Sequence, residues 1–226
     1  MRWLALAAAV VAAAAFAWIA LMPSRDAHRF RLTIEVETPD GLRSGSSVVE
    51  VERKRIRWPV PGSRYALRVR GESVFVDLGG GRNLVAVLAH GENAGDIDRI
   101  NSFWVEAYGH YRYDEDVWSG QKALRGVVEL ELPLIPTLVT FADPLDPSTV
   151  QVVRPGEFER VFGPGFHFRR ATLEVVPRSV PVASGAIERR LPWLVGMTTN
   201  LAGTRGRSTN DLREWLTPRR FRRQDP

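Results

Sequence analysis

The sequence contains no cysteine, which excludes disulfide bonds and an anchor built on a lipid-modified cysteine. Lysine is almost absent, since only Lys54 and Lys122 are lysines and arginine supplies the remaining positive charge. The chain also lacks a Gly-x-Ser-x-Gly elbow, and no Lys-Ser/Thr pair follows its run of three glycines, residues 79–81. These absences disfavour an α/β-hydrolase and a phosphate-binding loop.

Residues suited to metal binding or acid–base catalysis are scattered along the chain. The four histidines are His28, His90, His110 and His167, and no two of them stand at the sequence spacing of metal ligands. Asp143 and Asp146 stand beside prolines, where aspartates usually cap turns. We therefore predict no catalytic residue, no metal and no cofactor. The alternative is an envelope hydrolase or modifying enzyme, in which a deep pocket joins His90, His110 or His167 to a carboxylate.

The most apolar stretch of the chain is residues 3–22, which carry no charged side chain. As a helix rising ~1.5 Å per residue, about 20 such residues span the ~30 Å hydrocarbon core of a bilayer. The sequence thus predicts a single transmembrane anchor within residues 1–23. A cleaved signal peptide is the alternative, because Ala15 and Ala17 provide small residues at the spacing of a cleavage site.

The orientation of this anchor is predicted from two opposing signals. Arg25, Arg29 and Arg31 follow the apolar stretch and favour a cytoplasmic body. Only two residues precede the apolar segment, and such a short N-terminal region favours export of the domain that follows it. The preference for arginine and alanine is typical of GC-rich bacterial genomes. We expect a single-pass protein of the bacterial inner membrane with a periplasmic body, and keep a cytoplasm-facing anchor as the alternative.

Positive charge is concentrated near the C-terminus. Residues 205–223 contain seven arginines and two acidic residues, a net charge equal to the formal +5 of the whole chain. Residues 196–226 are also rich in glycine, threonine and asparagine, so we expect a weakly ordered tail. Its arginines are candidates for contact with anionic lipid or an acidic partner: Arg219, Arg220, Arg222 and Arg223. Nucleic acid is not expected as a partner unless this tail lies in the cytoplasm.

Between a short linker at residues 24–28 and this tail, residues 29–195 read as one β-rich domain. Apolar and polar residues alternate strictly over residues 29–37, which predicts a half-buried strand. A Pro-Asp-Gly turn at residues 38–41 leads into its antiparallel partner. Residues 84–89 are apolar on both faces, as in a central, doubly covered strand. Further strands are predicted at residues 47–53, 65–70, 73–78, 126–132, 137–141 and 166–176 (with a bulge at 169–170). Residues 187–194 are predicted to be a last strand or an ordered strap.

A helical period appears at residues 96–108, where Ile97, Ile100, Trp104 and Tyr108 recur every three or four residues. Short helices are also predicted at residues 155–162 and 210–216. Strands at short spacing with one embedded crossover helix favour an antiparallel β-sandwich or an open barrel.

Several segments carry a resemblance to a known family: residues 38–41, 71–78, 138–141, 143–153, 162–165 and 187–194. In these the chain resembles an uncharacterised family of bacterial, mainly proteobacterial, proteins with one N-terminal hydrophobic segment. The resemblance covers roughly residues 29–195 and implies no catalytic residue.

An aromatic and acidic stretch follows the predicted crossover helix. Its candidate partner-binding residues are Tyr108, Tyr111, Tyr113, Asp114 and Asp116. Rings beside carboxylates suit sugar or peptide recognition. We therefore expect a membrane-anchored, non-enzymatic envelope protein whose β domain binds a protein or a glycan.

Overall fold

The computed structural model describes residues 26–55, 65–204 and 211–224. Residues 3–22, the predicted anchor or signal peptide, lie outside them. Among the described residues, no helix combines the length and apolar composition needed to cross a bilayer. The strands, β1 to β10, are Ala27–Thr38, Gly41–Arg55, Tyr65–Glu72, Val74–Gly79, Arg82–Ala86, Val127–Glu129, Leu138–Phe141, Val150–Val152, His167–Val176 and Arg222–Gln224.

The helices are all short. Those of α type, α1 to α6, are Phe103–Ala107, Glu115–Trp118, Phe158–Phe162, Ala186–Arg190, Leu212–Trp215 and Pro218–Phe221. Turns of 3-10 helix occur at Arg99–Asn101, Pro147–Thr149, Pro155–Glu157 and Pro192–Leu194. The chain is therefore mainly β, as the sequence predicts.

The β1–β2 hairpin confirms the predicted antiparallel pair. Thr38 pairs with Gly41 across a two-residue turn, and Gly41 has a φ of +107°, which favours glycine. The hairpin is longer than predicted, because β1 begins at Ala27, inside the predicted linker, and β2 starts directly after the turn.

Six strands form the first antiparallel sheet, sheet A, in the order β10-β3-β2-β1-β9-β6. The predicted bulge in β9 is confirmed. Glu35 pairs with Arg170 while the next residue, Val36, pairs with Phe168, so Arg169 is the extra residue. The bulge restores the phase of β9, so that Ala171 and Leu173 point into the core.

Four strands form the second antiparallel sheet, sheet B, in the order β4-β5-β7-β8. Sheet B packs on sheet A, which makes the fold a β-sandwich. The prediction that residues 84–89 are covered on both faces is confirmed, although the strand itself ends at Ala86. Leu84, Ala86 and Leu88 belong to the core between the sheets, whereas Val85 and Val87 face a second core behind sheet B.

The second core is closed by the C-terminal part of the chain. Helices α4 to α6 and the residues that follow α4 and α5 cover the outer face of sheet B. The buried apolar residues of this cover are Ile187, Leu191, Leu194, Leu216 and Phe221. The chain then adds β10 to the edge of sheet A beside β3. Within the predicted weakly ordered tail, residues 211–224 contain two short helices and a strand, and buried Leu216 and Phe221 anchor this otherwise polar segment.

Two predicted elements differ in kind. Residues 96–108 do not form one continuous helix: the 3-10 turn at Arg99–Asn101 and α1 are separated at Ser102, whose backbone is not helical. At this break the Asn101 carbonyl accepts the Trp104 indole N–H (3.0 Å). Residues 187–194 are helical instead of extended. Ile187, Leu191 and Leu194 stand four and three residues apart, which places them on one side of a helix.

Candidate functional site

Of the three predicted tyrosines, Tyr108 is hydrogen-bonded within the fold, and Tyr111 and Tyr113 are exposed. The Tyr108 hydroxyl donates to the Gly126 carbonyl (2.6 Å) and accepts the Val175 N–H (3.1 Å), so it joins loop to strand. Burial raises the pKa of Tyr108. Tyr111 and Tyr113 are 69% and 58% exposed, and their ring centroids lie 5.5 Å apart in an edge-on arrangement.

The carboxylates of this surface have different roles. Asp114 caps α2 by accepting the N–H groups of Asp116 and Val117, whereas the Asp116 side chain is exposed. The structure therefore brings together Tyr111 and Tyr113 on the surface, leaves the Asp116 side chain exposed, and assigns Asp114 to helix capping.

The predicted arginine group does not form one cationic surface. Arg220 is 4% exposed and donates to the Ala94 carbonyl, and Arg223 is 5% exposed and approaches Asn101. Arg222 pairs with Glu188 of α4. Arg219 alone among the four is exposed, so three of them stabilise the fold.

Histidine geometry does not support the hydrolase alternative. His90 is 1% exposed, its Nε2 lies 3.1 Å from the Leu134 carbonyl, and burial lowers its pKa to about 4. His110 lies 3.8 Å from Asp114, which caps α2, and His167 lies 3.6 Å from exposed Glu159. In the described part of the chain, no group of three or more possible ligands could hold a metal ion.

A cleft at the open edge between the two sheets is the strongest candidate site, with a cavity volume of about 570 Å³. We call it the seam cleft. One wall is the first half of β2, a second is β4 with the residues before it, and a third is the segment leading into α4. Its lining comprises Leu42, Arg43, Ser44, Ser46, Ser47, Glu72, Ser73, Phe75, Asp77, Ala183, Ala186, Ile187, Arg189 and Arg190.

The third wall is fixed by a buried carboxylate. Glu72 is 3% exposed, and its oxygens accept the backbone N–H groups of Gly185, Ala186 (2.9 Å) and Ile187 (3.1 Å) at the start of α4. These are donors that a helix leaves unsatisfied at its N-terminus. The Glu72 carboxylate is therefore stabilised by hydrogen bonds inside the fold, and α4 is held against β4.

The solvent-exposed charge of the seam cleft is mainly positive, whereas the Glu72 carboxylate is buried. Arg43 and Arg189 have no carboxylate within 4.0 Å among the described residues. Arg190 lies 3.7 Å from Asp77, and both side chains are more than half exposed, so this pair is weak. The cleft thus presents three guanidinium groups against one exposed carboxylate.

The hydroxyl groups deepest in the cleft are occupied. Ser47 donates to the Glu72 carbonyl (2.6 Å), and Ser73 donates to the Arg220 carbonyl (3.0 Å). No histidine lines the cleft. The arrangement has the chemistry of a binding site, because it offers cations and backbone groups without a nucleophile held by a base.

A second, apolar cavity of about 300 Å³ lies beside β8. It is lined by the loop that contains Leu132, Ile135 and Pro136, and Leu132 is 72% exposed. Its lining contains one residue of each charge, Glu92 and Arg154, so it has no excess of positive charge.

Comparison of the chain with protein-family models, curated proteins and solved structures found no match. The resemblance to an uncharacterised bacterial family therefore stays a prediction. The sequence alone did not single out Arg43, Arg189 or Arg190. The available signal was a polar run at residues 43–47 within a strand otherwise rich in valine, since exposed strand positions keep polar residues.

Proposed function

We propose that the protein is a non-enzymatic binding protein of the bacterial cell envelope that holds a partner protein in the seam cleft. In this proposal residues 3–22 tether the β domain to the inner membrane and the domain lies in the periplasm. The cleft supports binding because its walls are rigid strands and a capped helix, which keep the interacting groups in place before the partner arrives.

The observation that carries the proposal is the unneutralised charge of Arg43 and Arg189 in a concave site. Arginine forms paired hydrogen bonds with carboxylates and is favoured where proteins recognise them. The deepest serine hydroxyls and the Glu72 carboxylate are occupied within the fold, so the same site offers little for hydrolysis.

Site-specific photo-crosslinking in intact cells tests this proposal. A photoreactive amino acid replaces Ser44, at the rim of the cleft, and in a matched control replaces Val127, an exposed residue of β6 at the far edge of sheet A. We expect discrete adducts with another envelope protein from position 44 and none from position 127. Equal labelling at both positions, or turnover of a cell-wall substrate by the purified chain, would contradict it.

The compartment is tested separately. We expect alkaline phosphatase fused after residue 226 to be active, because this reporter folds only in the periplasm. An inactive fusion at normal abundance would instead favour the cytoplasm-facing alternative.

A glycan-binding function is the second candidate, and the exposed Tyr111–Tyr113 pair favours it. Aromatic rings with an apolar face and a polar tip suit carbohydrate binding. In this case Tyr113→Ala would abolish retention on a peptidoglycan column, whereas substitutions in the seam cleft would leave retention unchanged.

A further inference from the structure

We propose that the seam cleft takes an extended, acidic peptide segment, which adds as a new strand to the free edge of β2. This inference rests on the proposed function and specifies its partner. It uses backbone pairing for affinity and the cleft arginines for selectivity.

The direction of the β2 backbone groups follows from the pairing of this strand. The Ala183 N–H donates to the Val48 carbonyl (3.1 Å), so Val48 points its backbone groups away from β1. Alternate residues of an antiparallel strand point the same way. Leu42, Ser44 and Ser46 therefore also direct their N–H and C=O groups away from β1.

Strand β3 agrees with this assignment and shows where the free edge begins. It pairs with β2 from Glu50 onward and covers none of residues 42–48. Glu50 is two residues after Val48, so its backbone groups also point away from β1. Among the described residues, the outward backbone groups of Leu42, Ser44 and Ser46 have no backbone partner. The free edge therefore offers the backbone groups of three residues and forms one wall of the seam cleft.

The protein already uses this edge once. The segment before α4 approaches β2, makes the single Ala183–Val48 bond, and is then drawn away because Glu72 holds the start of α4. An incoming peptide would continue this pairing toward Leu42. The cavity beside residues 42–46 is the space left by the turn into α4.

Charge selects the kind of peptide. Arg43, Arg189 and Arg190 surround the free edge, and only Arg190 has a carboxylate nearby. Side chains of an added strand point alternately to its two faces. Aspartate or glutamate at alternate positions would reach these guanidinium groups, whereas lysine or arginine there would be repelled.

The test uses the full chain in detergent micelles and a random library of peptides about eight residues long displayed on phage, a length typical of a strand. We expect enriched peptides that carry acidic residues alternating with β-branched ones. Binding of the synthetic, end-blocked peptides is then measured by fluorescence anisotropy at low and high salt. Enrichment of basic peptides would overturn the charge assignment.

Backbone pairing is tested at Ser44. Ser44→Pro removes one outward N–H without breaking the β1 ladder, and edge strands tolerate proline. We expect it to weaken binding about tenfold, which corresponds to about one lost hydrogen bond. The matched control Ser44→Ala keeps the N–H and should bind within about twofold.

A second measurement does not depend on the folding of a variant. N-methylation of the peptide at successive positions should abolish binding at alternate residues only, because only every second N–H faces β2. Loss at every position or at none would overturn strand addition. The double charge reversal Arg43→Glu/Arg189→Glu should weaken binding at least about tenfold and reverse its salt dependence, because the acidic peptide then meets like charges.

The outcomes separate this inference from the proposed function. Position-44 adducts combined with peptides that are insensitive to Ser44→Pro and N-methylation would leave the binding function and overturn strand addition. Absence of both adducts and enriched peptides would overturn both. A chain that dimerises, and that Ser44→Pro converts to a monomer, would show that a second copy occupies the edge and would overturn the peptide assignment.

Discussion

Gly45 sets how closely the two sheets approach each other. It faces the core from β2, and a Cβ at this position would overlap the backbone carbonyl of Phe75 in β4. The backbone of β4 therefore crosses β2 where β2 has no side chain. This crossing places the edges of β2 and β4 on either side of the seam cleft.

We predict that Gly45→Ala lowers the free energy of unfolding by about 3 kcal/mol, because the added methyl group must displace backbone. The measurement is urea denaturation followed by tryptophan fluorescence. Gly156→Ala is the matched control, since a Cβ there meets no atom within 4 Å, and it should leave stability unchanged or raise it by up to about 1 kcal/mol. Equal effects of the two substitutions would contradict the close crossing.

His90 is a second residue whose role follows from burial. Its Nε2 faces the Leu134 carbonyl, its ring lies 4.9 Å from that of Phe103, and its Nδ1 is buried without a hydrogen-bond partner among the described residues. Protonation of Nδ1 would bury a charge without an acceptor. Nearby Arg99 lowers the pKa of His90 further, while Asp96 raises it to a smaller extent.

The stability of the chain should consequently fall in mild acid. The pKa of His90 is about 4 in the folded state and 6.5 as a free side chain, so the unfolded state binds the proton first. This contribution is complete above pH 6.5 and is lost progressively toward pH 4, by about 3 kcal/mol. Urea denaturation between pH 7.5 and pH 4 measures it.

His90→Gln should flatten this pH dependence, because glutamine can still donate to Leu134 but does not titrate. His167→Gln changes an exposed histidine and should keep the slope of the native chain. A slope that survives His90→Gln would contradict the role of this side chain.

At the scale of single elements, α4 depends on one side chain from a distant strand. Glu72 lies more than a hundred positions before α4 in the chain and accepts three of its first N–H groups. A helix of this length is marginal by itself, so its position is set by this carboxylate and by Ile187 in the second core.

We predict that Glu72→Gln lowers the free energy of unfolding by about 2 kcal/mol, because a charged acceptor of several N–H groups is replaced by a neutral one. Hydrogen exchange should accelerate at residues 185–187 before the rest of the domain. Glu129→Gln, on an exposed edge strand, is the control and should change neither quantity. Unchanged exchange in Glu72→Gln would contradict the capping role.

The same element shows which parts of the fold could be predicted from the sequence. The strands at residues 29–37 and 84–86 are predicted correctly, because hydrophobic period and burial agree there. The alternation at residues 126–132 yields a strand only at Val127–Glu129, and Leu132 is 72% exposed. Residues 187–194 are predicted as a strand or an ordered strap although Ile187, Leu191 and Leu194 have helical spacing, since a proline interrupts the run. The Trp104 indole donates to the Asn101 carbonyl beside the break at Ser102, and hydrophobic periodicity does not reveal such a bond.

The seam cleft could not be predicted from the sequence. Its arginines come from β2 and α4, more than 140 positions apart, and only the sandwich brings them together. Arginines adjacent in sequence, such as Arg222 and Arg223, looked like a surface patch but point into different parts of the fold.

On the scale of the whole molecule, the C-terminal part of the chain connects the two sheets. It covers the outer face of sheet B through Leu216 and Phe221 and then pairs with β3 of sheet A. The backbone carbonyl of Phe221 also accepts the Ser73 N–H at the corner where the chain passes from β3 to β4 (2.8 Å). Removal of this segment would expose the second core.

We predict that a chain ending at Thr204 loses its cooperative thermal transition and aggregates, because loss of Leu216 and Phe221 exposes part of the apolar face of sheet B. Thermal denaturation followed by near-ultraviolet circular dichroism measures the change. A chain ending at Gln224 keeps β10 and should melt like the native protein. Equal melting of both truncated chains would contradict the bracing role of residues 211–224.

The late position of β10 in the chain has a consequence for biosynthesis. The outer face of sheet B lacks Leu216 and Phe221 until residues 212–224 have left the ribosome, and sheet A lacks its β10 edge until then. The domain can therefore reach its native state only after these residues have been made. A nascent chain that stops before them displays part of the apolar surface that proteases and chaperones bind.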